Sequence, residues 1–236
     1  MHLFVLERWS RGSSAIHRRD PRAKAGVLLV FLIVVATSYR GLSLLAALLL
    51  VLLMIVTRLA GLPLGPVLLR SAIVLTFTVM VALAAWLAGD PERAVALILK
   101  SYLSAVAVFL LVATTPVQVL LRGLAWCGVP RLLLLVAQFL YRYLFVVLEQ
   151  AGQMRTASRA RGGTIGFRGA ASAVAALFAR SHQRAEDIHR AMLSRGFVQQ
   201  FHTLETPRFR SADAVFLLGA SVIIVLVRAA VERVNG

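Results

Sequence analysis

The chain has 236 residues, of which 59% are hydrophobic, and its formal net charge is +16. The apolar residues come in long uninterrupted runs, which indicates an integral membrane protein and excludes an ordinary soluble domain. The positive charge comes from 24 arginines and only two lysines. The single cysteine, Cys127, excludes an internal disulfide and a cysteine-rich metal site.

The first half of the chain predicts four membrane-spanning helices after a basic N-terminal segment, residues 1–24. Asp20 as N-cap and Pro21 at the first helical position predict the start of the first helix, with Lys24 at the water boundary. Residues 25–115 form a four-span domain in this interpretation. We expect its spans at about 25–38, 42–57, 71–88 and 94–115, with turns at 39–41, 58–70 and 89–93.

The turn predicted at 58–70 depends on four residues that break helices, namely Gly61, Pro63, Gly65 and Pro66. Farther along, Thr115-Pro116 predicts a new helix start of capping-box form, and Gly128-Val129-Pro130 predicts its end. The sequence therefore predicts a change of organisation at about residue 116.

Residues 116–211 are expected to form a cytoplasmic module of amphipathic helices. Segment 132–148 is apolar enough to cross the membrane, but crossing would place the later arginines outside, against the positive-inside rule. We therefore expect this segment to lie in or along the cytoplasmic half of the membrane. Residues 212–236 are expected to form the last span, at about 214–227, and a short outer tail.

The distribution of charge predicts an orientation with the N-terminus inside. Residues 116–210 carry 13 arginines against four acidic residues, and the N-terminal segment is also basic. Five spans with the C-terminus outside satisfy this rule. The fold class is therefore an all-α membrane protein with about five transmembrane helices, although six spans remain an alternative.

Two short motifs in the cytoplasmic module place an Arg-Gly pair where a helix is expected to end. They are Ala160-Arg161-Gly162 and Ser194-Arg195-Gly196. Small or apolar residues occupy the positions four, seven and ten places before each motif arginine. One such site is explained by helix capping, because glycine favours the left-handed position and arginine suits the C-terminal dipole.

Two matched copies favour a second interpretation, in which each helix end presents a guanidinium to an acidic groove of a partner. The motif arginines are then the docking residues. Other arginines of the module are expected to support them: Arg142, Arg155, Arg159 and Arg190. The helix before the second motif is amphipathic, and its stripe of small and apolar residues consists of Val174, Leu177, Ser181, Ala185, Ile188 and Met192. Glu186 and Arg190 have the spacing of a favourable ion pair.

These residues resemble the T component, the transmembrane coupling subunit, of energy-coupling factor (ECF) transporters, in its cobalt/nickel CbiQ-like branch. The resemblance covers nearly the whole chain. It rests on the two Arg-Gly motifs, with further matches at Asp20-Pro21-Arg22, Thr115-Pro116, Gly128-Val129-Pro130 and Tyr141-Arg142-Tyr143. The second motif departs from the family pattern, because it begins with Ser194 where the family has alanine.

The resemblance implies a non-catalytic subunit of an ATP-driven importer in the cytoplasmic membrane of a prokaryote. Its implied partners are two ABC-type ATPases, which dock on Arg161 and Arg195, and a substrate-binding S component. The chain itself is expected to bind no cofactor, and it has no Gly-rich phosphate loop. The resemblance favours cobalt over nickel, and either metal over a vitamin.

An alternative of another class is a membrane-tethered basic module that binds anionic lipid or nucleic acid. That alternative predicts lysine as often as arginine and no repeated helix-end motif, so the sequence disfavours it. A membrane-embedded enzyme is also disfavoured, because no acid–base pair or metal-ligand cluster is apparent. His182 and His189 lie seven residues apart without a completing carboxylate or thiol, which indicates surface histidines.

Overall fold

The computed structural model describes residues 12, 14, 16–17, 19–38, 42–126, 128–162, 166–196 and 210–235. Every regular element among these residues is a helix, which confirms the all-α fold class. One short 3₁₀ helix, Ala72–Val74, accompanies the α-helices. In chain order these are α1 Pro21–Thr37, α2 Leu42–Leu59, α3 Leu64–Ser71, α4 Leu75–Leu87, α5 Pro91–Thr114, α6 Val117–Trp126, α7 Arg131–Ala160, α8 Phe167–Ser194 and α9 Ser211–Asn235.

The start of α1 follows the sequence prediction. Asp20 is the N-cap, its carboxylate accepts a hydrogen bond from the Arg22 backbone N–H at 2.8 Å, and Pro21 is the first helical residue. This bond satisfies one of the four backbone donors that a helix start leaves without an internal partner. The predicted turn at 39–41 and most of the N-terminal basic segment lie outside the described residues.

The loop predicted at 58–70 is wrong for most of its length. Only Ala60 to Pro63 separate α2 from α3, and Gly61 adopts a positive φ of 73° there. Helix α3 begins at Leu64 and continues through the 3₁₀ turn into α4. Pro66 is the third helical residue, where a backbone N–H has no partner within the helix, so proline does not break the helix.

The described residues divide into two compact units. The first contains α1 to α5, the described residues up to Gly123 in α6, and α9, while the second covers the described residues between Leu124 and Gly196. In the first unit α5 packs against α1, α2, α3 and α4, and α9 packs against α1 and α2. The core between these helices is aliphatic and aromatic, with Phe31, Leu49, Val67, Leu103 and Val106 among its most buried residues.

Four helical stretches among the described residues are long and apolar enough to cross a membrane. They are Leu64–Leu87, Pro91–Thr114, Leu132–Ala160 and Ser211–Arg233, with Ser43–Leu59 as a shorter apolar helix. Large apolar side chains also cover the outer faces, as at Phe77 and Met80, which are 75% and 71% exposed. Such surfaces are stable in a bilayer and unfavourable in water, so the chain is a multi-pass membrane protein.

Helix α7 is a single rod of 30 residues that contains the predicted membrane-parallel segment 132–148. Its length and composition permit a crossing, while the charge rule favours an orientation along the membrane. The number of spans therefore stays a prediction.

Candidate functional site: two arginine–glycine helix ends

The first Arg-Gly pair ends α7. Arg161 is the C-cap, with φ −85° and ψ 10°, and its backbone N–H donates to the Ala157 carbonyl at 3.3 Å. Gly162 follows with a positive φ of 70°, and its N–H donates to the Arg159 carbonyl at 3.0 Å. These bonds satisfy carbonyls that the last turn would otherwise leave open.

The second pair ends α8 with similar backbone dihedral angles. Arg195 is the C-cap, with φ −92° and ψ 8°, and Gly196 has a φ of 68°. The Arg195 N–H donates to the Met192 carbonyl at 3.1 Å, and the Gly196 N–H donates to the Leu193 carbonyl at 3.0 Å. The prediction that both motifs end helices is confirmed. The two copies are therefore alike in backbone conformation as well as in sequence.

The motif residues are exposed at both helix ends: Ala160, Arg161, Gly162, Ser194, Arg195 and Gly196. Each guanidinium is therefore accessible to a partner. The Ser194 hydroxyl donates to the Ala191 carbonyl at 3.0 Å, so this hydroxyl is turned back on its own helix. The hydroxyl of Ser194 therefore adds little to the outer surface of the helix end, which stays close in shape to that of an alanine.

The supporting arginines are exposed too, but they have different surroundings. Arg190 makes the predicted ion pair with Glu186, at 3.3 Å between Nη2 and Oε2. The Arg142 guanidinium lies 5.9 Å from the ring centre of Tyr143, a cation–π contact on α7. Arg155 and Arg159 lie on the last two turns of α7. With Arg161, the end of α7 therefore carries three cationic side chains.

The two motif arginines, Arg161 and Arg195, lie too far apart to enter one pocket of a partner. Helix α8 has 28 residues, so it is about 40 Å long at 1.5 Å per residue. The six peptide steps from Arg161 to Phe167 can span at most about 20 Å. The Cα atoms of Arg161 and Arg195 therefore stay about 20 Å apart or more. Any partner that contacts both arginines must therefore have two separate sites, or two partners must be present.

Small and apolar residues of α8 form one wall of a groove against α7. Ser181, Ala185, Ile188 and Met192, members of the stripe predicted from the sequence, line a groove of about 680 Å³. Phe139, Tyr143 and Val147 are among the α7 residues on the other wall. Val174, at the start of the predicted stripe, is instead 65% exposed.

Comparison with known proteins identifies the family of this chain. Residues 12–204, far more than half of the sequence, match the family described as "CbiQ: Cobalt transport protein". The chain belongs to the CbiQ family of cobalt transport proteins. This match covers both Arg-Gly motifs and every described helix except α9.

Two relatives of this CbiQ-family chain come from a bacterium and an archaeon. The cobalt transport protein CbiQ of Rhodobacter capsulatus is 32% identical over 133 residues, which are 55% of this chain and 53% of that protein. An uncharacterised protein of Methanocaldococcus jannaschii is 30% identical over 104 residues, 42% of this chain and 36% of that protein. The alignments thus span about half or less of these relatives.

The histidines of this CbiQ-family chain give no metal site among the described residues. No group of three or more histidine, cysteine, aspartate or glutamate side chains is gathered within the described ranges. His182 instead pairs with Glu186 at 3.4 Å and stacks on Phe178. These contacts agree with the interpretation of a surface histidine.

A buried polar cluster in the first unit was not predicted. It consists of Asp20, Lys24, Thr114, Thr115 and Asp213, all at most 6% exposed. Lys24 Nζ donates to the Thr114 carbonyl at 2.9 Å and to the Thr115 hydroxyl at 3.2 Å. Lys24 is therefore not exposed to water, as was expected of a residue at the water boundary, because groups at the end of α5 accept hydrogen bonds from its ammonium group.

Asp213 joins the starts of two helices within this cluster. Its Oδ2 accepts from the Arg210 backbone N–H at 3.1 Å, which caps α9, and its Oδ1 accepts from the Asp20 N–H at 3.2 Å. Lys24 lies ahead of the apolar segment of α1, and burial lowers its pKa to about 8, against the opposing effect of Asp20 and Asp213. No local sequence pattern indicates this cluster, because its members come from α1, the end of α5 and the start of α9.

Proposed function

We propose that this CbiQ-family chain is the transmembrane coupling subunit of an ATP-driven ECF-type importer, with cobalt, or nickel, as cargo. Two ABC-type ATPases dock on the Arg161 and Arg195 helix ends. ATP-driven closure of the ATPase pair moves these ends, and the membrane unit transmits the movement to a separate substrate-binding S component. The chain binds neither ATP nor the metal, and it performs no catalysis.

The matched geometry of the two helix ends carries this proposal. Each end presents an exposed arginine at the C-cap and a left-handed glycine beyond it. A guanidinium has five fixed donors, so it recognises a carboxylate groove with a defined direction. The separation of about 20 Å or more suits two copies of one receptor better than a single pocket. Family membership supports transport as the process and cobalt as the cargo.

The proposed location is the cytoplasmic membrane of a prokaryote, with the N-terminus and the second unit inside. The two relatives come from prokaryotes, and the arginine-rich stretch 116–210 favours the cytoplasmic side. This orientation places both helix ends where ATP is available.

The decisive experiment is affinity purification from membranes with mass-spectrometric identification of the co-purified proteins. We expect the wild-type chain to retain an ABC-type ATPase, and the Arg161→Glu, Arg195→Glu double variant to lose it by about tenfold or more. A matched control is the Arg180→Gln, Arg184→Gln variant, which removes two exposed arginines of α8 away from its end. This control should retain the ATPase.

Two results would contradict the proposal. If the double variant inserts normally and keeps the ATPase, the helix ends are not the docking sites. If the wild type carries no ATPase but binds anionic lipid or nucleic acid with steep salt dependence, the chain is a membrane-tethered basic module.

A further inference from the structure

The two Arg-Gly helix ends share a backbone conformation but differ in charge. Each end is defined by the eleven residues that close with its motif glycine: 152–162 form the α7 end, and 186–196 form the α8 end. The α7 end contains three arginines and no acidic residue, so its formal charge is +3. The α8 end contains two arginines and two acidic residues, so its formal charge is zero. The two ends therefore present different electrostatic surfaces to a partner.

The charge of the α7 end is exposed and concentrated. Arg155, Arg159 and Arg161 are all exposed, and none of them makes an ion pair with a carboxylate in the described part of the chain. From Arg155 to Arg161 the helix rises by about 9 Å, which is about one Debye length at physiological ionic strength. The three guanidinium groups therefore act together on a carboxylate that comes near this end.

The spacing of these arginines makes an acidic partner more favourable still. Arg155 and Arg159 lie four residues apart, and like charges at this spacing on a helix repel each other. A partner that places carboxylates between them replaces this repulsion with charge-assisted hydrogen bonds. The α7 end is thus suited to an acidic site.

The charges of the α8 end are largely paired within the helix. Arg190 Nη2 lies 3.3 Å from Glu186 Oε2, and Asp187 adds a second negative charge to the same end. Arg195 is exposed and makes no ion pair within the described ranges. At this end one guanidinium is therefore available to a partner, against three at the α7 end.

An apolar side chain takes the place of an arginine beside the second motif. Two positions before the motif arginine stands Arg159 at the α7 end and Leu193 at the α8 end. Leu193 is 60% exposed and lies at the rim of the groove between α7 and α8. A partner that binds this end can bury the leucine, and burial of apolar surface favours association. The α8 end thus offers apolar contact where the α7 end offers charge.

We propose that the two helix ends dock unequally, the α7 end mainly through charge and the α8 end mainly through apolar burial. At the α7 end Arg155, Arg159 and Arg161 bind an acidic site. At the α8 end Leu193 is buried against the partner beside Arg195. This inference rests on the proposed docking of ATPases. It holds for two identical ATPases as well as for two different ones, because the difference lies in this chain.

Salt distinguishes the two kinds of contact, because it screens exposed charges and leaves apolar burial nearly unchanged. The full-length chain is placed in nanodiscs of phosphatidylcholine, a lipid without net charge, and the probe is the ABC-type ATPase that co-purifies with the wild type. Arg195→Glu leaves the α7 end to bind alone, and Arg161→Glu leaves the α8 end. Between about 50 and about 300 mM NaCl, we expect the Kd of the α7 end to rise by about tenfold or more and that of the α8 end by about threefold or less.

Substitutions at the matched position identify the residues responsible. Arg159→Leu should reduce the salt dependence of the α7 end to about threefold or less. Leu193→Ala should raise the Kd of the α8 end by about fivefold to tenfold at both salt concentrations, and Leu193→Arg should make this end salt-dependent. Arg180→Leu is the matched control, because it removes the same charge from an exposed position of α8, fifteen residues before Arg195. This control should leave both Kd values unchanged.

The same substitutions in the otherwise wild-type chain provide a second measurement. Both helix ends then remain, so the result does not depend on the affinity of one end alone. Arg159→Leu should weaken ATPase binding at low salt more than at high salt, whereas Leu193→Ala should weaken it equally at both. Circular dichroism of each variant checks that its helices are intact.

The possible failures of the two proposals are distinguishable. If the ATPase binds and both ends show the same salt dependence, the unequal docking is wrong and the coupling function stands. The same holds if Leu193→Ala binds as the wild type does. If the wild type retains no ATPase at either salt concentration, the proposed function is wrong and the unequal docking is wrong with it.

Discussion

At the scale of single residues, the two glycines beyond the motif arginines determine how the helices end. Gly162 and Gly196 have φ values of 70° and 68°, a region that costs an alanine about 1 kcal/mol or more. We expect Gly162→Ala and Gly196→Ala to distort the C-caps and reorient the guanidinium groups. The amount of co-purified ATPase should fall several-fold while the total helix content, measured by circular dichroism, changes little.

Gly152 provides the matched control for this prediction. It lies within α7, its φ is not positive, and a Cβ there would meet no atom within 4 Å. Gly152→Ala should therefore stabilise α7 by about 0.5 to 1 kcal/mol and leave ATPase binding intact. Equal losses in all three variants would show that helix stability, rather than the C-cap geometry, controls docking.

The two lysines of the chain give a second prediction at this scale. Lys24 is buried and donates to Thr114 and Thr115, whereas Lys100 is partly exposed and donates to the Ala36 carbonyl at 2.9 Å. Lys24→Met should destabilise the first unit by about 2 to 3 kcal/mol, because the buried Thr114 carbonyl and Thr115 hydroxyl lose a charged donor. Lys100→Met should cost about 1 kcal/mol or less.

The measurement is thermal unfolding in detergent, with both variants compared with the wild type. A Lys24→Met variant as stable as Lys100→Met would show that the buried polar cluster does not hold α1, α5 and α9 together.

Single-residue features were predictable where the chemistry is local. The Asp20-Pro21 helix start and the two Arg-Gly ends depend on neighbours within one turn, so their patterns are visible in the sequence. The burial of Lys24 depends on Thr114 and Asp213, which lie 90 and 189 positions away. No local pattern contains this contact, and a lysine next to an apolar run fits the water boundary equally well.

At the scale of elements, α8 is the segment that would transmit movement from its docked end. It is continuous over 28 residues, and Ala175 is exposed within it. Ala175→Pro should kink the helix at a cost of about 3 kcal/mol while leaving the Arg195 end intact. We expect the ATPase to remain bound and metal uptake to be lost.

Ala175→Gly is the control for this prediction, because glycine costs about 1 kcal/mol in a helix and does not remove a hydrogen bond. Uptake of radioactive cobalt and ATPase co-purification would be measured on the same preparations. Normal uptake by the Ala175→Pro variant, with its kink confirmed, would contradict transmission through a rigid α8.

The helices were predicted well where a long apolar run defines them. The prediction failed at 58–70, where glycine and proline were taken to end a helix without regard to their position in it. Gly61 does end α2, but Gly65 and Pro66 fall in the first turn of α3, where their cost is small. The predicted loop was therefore too long, and Arg70 lies on a helix.

At the scale of the whole molecule, the orientation of α7 decides the number of spans. If α7 lies along the membrane, five crossings place the second unit inside and the C-terminus outside. If α7 crosses, six crossings place the Arg195 end outside, away from ATP, and the C-terminus inside. The arginine excess of 116–210 favours the first arrangement. The proposed docking of ATPases requires it as well.

Cysteine labelling distinguishes these two topologies. In a Cys127→Ser background, single cysteines would replace Asp90, Gln183 or Glu232, all exposed residues. A membrane-impermeant maleimide applied to intact spheroplasts should label positions 90 and 232, and should label position 183 only after permeabilisation. Position 90 is outside in both topologies and serves as the control. Labelling of position 183 with protection of position 232 would establish six spans, and the helix ends could then bind no cytoplasmic ATPase.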